Sequence, residues 1–316
     1  MKMMFKNKAF IYFVVKLVVS IILVRWLINN VDSASMIRTF RSFHWSTFVL
    51  AFASLWCAYI LGAWRWKYIL LKREFAPFHF MDSLLIVAIA NFLNQGLPGS
   101  IGGDVYRGFA LTRLGFSRNW AIQSLLLDRA FGLFFMGALG VLSLFSFDVV
   151  FLNQKELFPM YFVLGVICIG FILFCQLDRL PVTGKLRRLV SPIQSMASVS
   201  RKLFQPHNMC FIIVGFALTI FLYLPVYLFA RDLGYPLPLS AVLFVLPAVF
   251  LLASLPISFA GWGVREVAFV SLFKFFGLTS EQALSLSVAY GLVGLCSVAP
   301  GLLLYFFEGK TKIAVV

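Results

Sequence analysis

The residues best suited to chemistry in this 316-residue chain are two arginines that close related decapeptides. Pro98-Gly-Ser-Ile-Gly-Gly-Asp-Val-Tyr-Arg107 and Pro256-Ile-Ser-Phe-Ala-Gly-Trp-Gly-Val-Arg265 share Pro, Ser, Gly and Arg in the same four registers. A guanidinium offers paired N–H donors to a phosphate, and uncovered glycine amides at a helix start add a dipole of the right sign. The candidate anion-binding residues are therefore Ser100, Gly102, Gly103 and Arg107 in the first copy, and Ser258, Gly261 and Arg265 in the second. Asp104, Asp128, Arg129 and Glu266 are candidates for a polar pathway, contacting an amine or sugar or carrying a coupling proton. The competing reading of the glycines is close helix packing.

Local partners separate the two arginines. Asp104 lies three residues before Arg107, on the same helical face, so this pair can satisfy itself. Arg265 has Glu266 beside it, but neighbours on a helix point about 100° apart. Its partner is then expected from another segment, water or a ligand, which makes Arg265 the sharper ligand candidate. Asp128-Arg129 sits about two turns into an apolar run and reads as an internal staple, or else as a relay along the pathway. Trp64-Arg65-Trp66-Lys67 ends a span and reads as an interfacial belt with snorkelling cations.

These residues sit in a chain with 61% hydrophobic and 12% charged residues, far below the roughly 25% charge of soluble domains. Apolar runs long enough to cross a bilayer fall near 9–29, 46–66, 119–147, 159–176, 208–230 and 283–307. Two others, 81–97 and 240–276, are interrupted by the repeated decapeptide. Lys16 and Arg25 break the first run, which is also too long for a signal peptide, so it is read as a retained span.

Of the 27 Lys and Arg, 17 fall on one side of these spans and 4 on the other, so the net charge of +15 follows the positive-inside bias. That placement argues against nucleic acid as a partner. It also puts both termini in the cytoplasm and requires each decapeptide segment to enter and leave on one side. The expected fold is an all-α polytopic membrane protein: an inverted repeat of three transmembrane helices plus one re-entrant hairpin per half. The first repeat is 1–158 with hairpin 81–106, and the second is 159–316 with hairpin 240–276. Between 177 and 206 lies a basic connection with helical apolar spacing. It reads as an amphipathic segment on the cytoplasmic leaflet, broken or started by Pro192.

Several chemistries find no support. The glycines around Gly102 follow no strand and lack the Lys-Ser/Thr ending of a nucleotide-binding loop, so ATP hydrolysis is not expected. The five cysteines contain no C-x-x-C pair and read as buried free thiols, and the three histidines have no zinc spacing. No catalytic residue, metal or cofactor is assigned.

Arg65-Trp66, Asn94-Gln-Gly-Leu-Pro-Gly-Ser-Ile-Gly-Gly-Asp-Val-Tyr-Arg107, Asp128-Arg129 and Pro256-Ile-Ser-Phe-Ala-Gly-Trp-Gly-Val-Arg-Glu266 together resemble the flippase-like transmembrane domain of the lysylphosphatidylglycerol synthase/flippase family. The resemblance covers nearly the whole chain. It implies a protein of the bacterial or archaeal cytoplasmic (inner) membrane that moves an anionic or aminoacylated phospholipid, or a polyprenyl-phosphate-linked lipid, between leaflets. The alternatives are a membrane transferase or an accessory scaffold, with glycosyltransferase or lipid-modifying enzymes as partners. The sequence stops nine residues after Phe307, without the soluble aminoacyl-transfer domain of the bifunctional synthases, so it is not expected to make lysyl-lipid itself. Ala260 and Trp262 replace a glycine and the acidic residue of the first decapeptide, so the two copies are expected to differ in chemistry.

Overall fold

A computed structural model describes residues 43–74, 77–96, 102–145, 154–181, 186–235, 237–254 and 262–308, without the side chains of 96, 154–157, 186–189 and 306–308. The expected first span, Ser100, Ser258 and Gly261 lie outside the described residues. Among those described there are ten α-helices and no strand. They are α1 (Trp45–Leu70), α2 (Phe80–Gly96), α3 (Gly102–Arg113), α4 (Arg118–Ser143), α5 (Gln154–Phe174), α6 (Leu186–Leu203), α7 (Met209–Asp232), α8 (Leu239–Ser254), α9 (Val264–Phe273) and α10 (Ser280–Glu308).

Five helical stretches, those of α1, α4, α5, α7 and α10, are long and apolar enough to cross a bilayer, while α2 and α8 are apolar but shorter. The chain is a multi-pass membrane protein. Its long apolar helices carry little amphipathic pattern because one flank meets protein and the other meets lipid, and both solvents are apolar, whereas α6 is clearly amphipathic. Prolines inside α5, α7, α8 and α10 are tolerated in this setting, where neighbouring helices can satisfy freed carbonyls.

The antiparallel pair α1 and α7 forms the centre. Phe43 just before α1 packs its ring on Phe229 near the end of α7, and Tyr68 near the end of α1 stacks on Phe211 near the start of α7. Two apolar cores lie at opposite ends of that pair. Ala51 and Leu55 of α1 pack with Phe244 of α8 and Phe269 of α9, whereas Trp66 and Ile69 pack with Ile86 of α2 and Leu111 of α3. The broken pairs α2/α3 and α8/α9 therefore occupy opposite ends of α1. Packing is also reciprocal: α4 lies on α8, and α10 lies on α2.

Three boundary expectations need correction. The return helix of the first pair runs on to Arg113, past the hairpin end expected at residue 106. Pro192 neither breaks nor starts α6 but sits inside it, and α6 buries Ala197, Val199 and Leu203 against the protein rather than resting wholly on lipid. The cysteines are free, but none is buried: Cys57, Cys168 and Cys175 are half-buried, and Cys210 and Cys296 are exposed.

Candidate functional site

Ala51, Ala58 and Arg65 recur at seven-residue steps, so Arg65 shares the core-facing stripe of α1 and cannot snorkel to the interface. Its Nε donates to Asp128 Oδ1 at 3.0 Å, and its Nη2 donates to the Asp128 carbonyl at 3.2 Å. The opposite carboxylate oxygen of Asp128 accepts Arg107 Nη2 at 2.9 Å. Arg107 also lies 4.0 Å from the Trp66 ring centroid, a cation–π contact inside the fold. Farther out, Arg107 Nη1 is 3.7 Å from Asp104 Oδ1, and Arg129 donates to Asp104 Oδ2 at 2.5 Å.

The result is a continuous ladder: Arg65, Asp128, Arg107, Asp104, Arg129. Side-chain exposure rises along it from 7% at Arg65 through 12% at Arg107 and 20% at Asp104 to 48% at Arg129. Among the described residues three guanidiniums share two carboxylates, and Arg65 and Arg107 both rest on the single carboxylate of Asp128. The donors reflect this, for Arg65 Nη1, Arg107 Nε and the indole N–H of Trp66 are buried without a partner among the described residues. Buried donors without acceptors each cost about 1–3 kcal/mol, more when charged, so these three donors are short of acceptors.

Two expectations fail here. Asp128 and Arg129 do not staple to each other; mid-helix neighbours point apart, and each takes its partner from another helix. Nor is the Gly103 amide open to a ligand, since it donates to Asn94 Oδ1 at 2.8 Å. A Cβ on Gly103 would fall 2.2 Å from the Ala90 carbonyl oxygen, so this glycine serves the close approach of α3 to α2. Gly102 opens α3.

The second copy is built differently. Gly263, at φ 85°, precedes α9, and its N–H is accepted by Glu266 Oε2 at 2.6 Å. Curling back to cap the helix brings the other carboxylate oxygen to Arg265, whose Nε donates at 3.1 Å. Arg265 is thus paired with its sequence neighbour, contrary to the expectation from helical angles, because both residues lie in the first turn where side chains can fold back over the helix end. Ser287 of α10 bonds to both members. The Arg265 guanidinium lies 4.7 Å from the Trp262 ring and 6.0 Å from that of Tyr290, and the absence of a side chain at Gly291 leaves room for it. Among the described residues the two charges of this pair balance each other.

The family model of the lysylphosphatidylglycerol synthase TM region matches residues 13–301, nearly the full length. The chain belongs to this family. No curated protein matches it. In this member of the lysylphosphatidylglycerol synthase TM region family, the structure brings Asp104, Arg107, Asp128 and Arg129 into one cluster and joins Arg65, which sequence reading placed at the interface. Arg265 and Glu266 form a separate pair packed against α10.

Proposed function

We propose that this protein translocates a phosphate-bearing lipid, either an anionic or aminoacylated phospholipid or a polyprenyl-phosphate-linked lipid, between leaflets of a bacterial or archaeal inner membrane. The observation that carries this reading is the pair of buried guanidiniums sharing the Asp128 carboxylate at the first broken helix pair, with unpartnered donors on Arg65 and Arg107 among the described residues. In a membrane interior an unpartnered donor on a cation is unfavourable, and a phosphate monoanion supplies the missing acceptors. Arg107 and Arg65 would hold the phosphate while the tails remain in lipid.

Membership of a family named for the membrane region of a lipid synthase supports a lipid as cargo. An inverted-repeat, alternating-access scheme, with halves 1–158 and 159–316 and both termini cytoplasmic, is supported by two features. The broken pairs lie at opposite ends of α1, and α4 and α10 pack reciprocally across the halves. Arg265, Glu266 and Asp104 would act in the moving framework.

The test is reconstitution into liposomes with a fluorescent phosphatidylglycerol, reading how fast outer-leaflet quenching reaches the inner pool. The wild type should accelerate exchange, and Arg65→Gln with Arg107→Gln should abolish it while still inserting. Equal rates for wild type, double variant and empty liposomes would overturn the proposal.

A further inference from the structure

The outer end of the arginine ladder opens on a groove of about 550 Å³ between α3 and α4. Its walls include Val105 and Phe109 of α3 and Ile122 and Leu126 of α4, all more than half exposed. Gly108 leaves its floor low, with a Cβ there 3.7 Å from Leu125. On membrane helices such a face meets acyl chains rather than water. The groove has charged ends. Asp104 and Arg129 close one end, and Arg118, in the first turn of α4, stands at the other.

Eleven residues of α4 separate Arg118 from Arg129, about 16 Å at 1.5 Å per residue. That is close to half of the ~30 Å hydrocarbon core, the depth that one acyl chain covers in one leaflet. Arg118 is exposed, and no described residue pairs with it. The α4 N-terminus itself is already served, because Ser117 caps it and Glu74 accepts the Ser117 N–H at 3.0 Å. The Arg118 side chain, rather than the helix amides, is therefore what remains for an anion.

We infer that this groove is a docking site for one acyl chain of an anionic glycerophospholipid, with its phosphate at Arg118 and its chain end at the Asp104–Arg129 pair. The occupant follows from the dimensions: a polyprenyl chain exceeds one leaflet and would overrun the groove, whereas a glycerophospholipid chain fills it. The Asp104–Arg129 pair then stands between the groove and the buried Arg107–Asp128–Arg65 cluster, so for transport the headgroup would leave Arg118, travel along the groove and pass that pair to reach the donors that lack a partner. The inference rests on the lipid-translocating reading for this last step, while the docking itself stands on the groove.

The test uses full-length protein in vesicles containing phosphatidylglycerol with a diazirine at either the start or the end of one acyl chain. Peptide mapping after photolysis should place chain-start labels near Thr112 and Ile122, and chain-end labels near Val105 and Leu126. Arg118→Gln should lower labelling about tenfold, the worth of one charge-assisted hydrogen bond. Gly108→Phe, or Ile122→Trp on the lipid face if the first does not fold, should displace the label by filling the groove. Arg107→Gln should still be labelled, which separates failure of docking from failure of transport. Equal labelling of the exposed α5 face at Phe162 and Ile169, labels independent of diazirine depth, or stronger competition by a polyprenyl phosphate than by phosphatidylglycerol would each overturn the inference.

Discussion

The two decapeptides carry the same four residues in register, yet among the described residues the first site sets two buried arginines on one aspartate and the second pairs one arginine with one glutamate. In the first, Arg107 lies in the second turn of α3 and meets Asp128 from α4, a carboxylate already shared with Arg65. In the second, Arg265 lies in the first turn of α9 and is absorbed by Glu266, which also caps that helix. A repeated motif therefore fixes where an arginine stands in the chain but not what neutralises it. The helices packed around it decide that, and among the described residues they place an extra buried arginine, Arg65, at the first site.

Breaking the ladder at its hub should produce the largest effect. Asp128→Ala leaves Arg65 and Arg107 buried together without their carboxylate, a loss of about 3–5 kcal/mol of stability. Thermal unfolding in detergent should show a large fall or no folded protein. Glu266→Gln removes charge but keeps an amide that can still accept the Gly263 N–H, so its fall should be clearly smaller. Equal losses would erase the distinction between a shared carboxylate and a private one.

The glycines sharpen the comparison at a lower magnitude. Gly103→Ala drives a methyl into the Ala90 backbone carbonyl, whereas Gly291→Ala meets the end of the Arg265 side chain, which can swing. The first should destabilise by about 1–3 kcal/mol and the second by less, with α2–α3 and α9–α10 contact read by the same melting assay. A larger loss at Gly291 would mean that the Arg265 guanidinium is locked in place. Smallest of all, Trp262→Leu removes one cation–π contact, worth about 0.5–1 kcal/mol at exposed sites and more when desolvated. A melting shift beyond that range would show that Trp262 holds more than the guanidinium face.

Much of the architecture was legible in the sequence because bilayer thickness imposes a length on apolar runs, and α1, α4, α5, α7 and α10 follow it. The broken pairs were legible from proline and glycine in the runs at 81–97 and 240–276. Side-chain partners were not. Angular separation along a helix correctly divides Asp128 from Arg129, although the sequence reading paired them. The same rule wrongly divides Arg265 from Glu266, since it fails in a first turn. Arg65 was hidden by its position near a span end beside two tryptophans; its seven-residue spacing from Ala58 and Ala51 was the signal that assigns it to the core.

The central claim, that of the two motif arginines only Arg107 holds a phosphate, is tested most directly by native mass spectrometry of gently purified protein carrying Arg118→Gln, which empties the groove between α3 and α4. This parent and its Arg265→Gln variant should each retain a phosphate-bearing lipid, and its Arg107→Gln variant should lose it by about ten- to hundredfold, the worth of a hydrogen bond to a charged group. Retention by the Arg107→Gln variant at the parent's level, or loss from Arg265→Gln alone, would contradict the account.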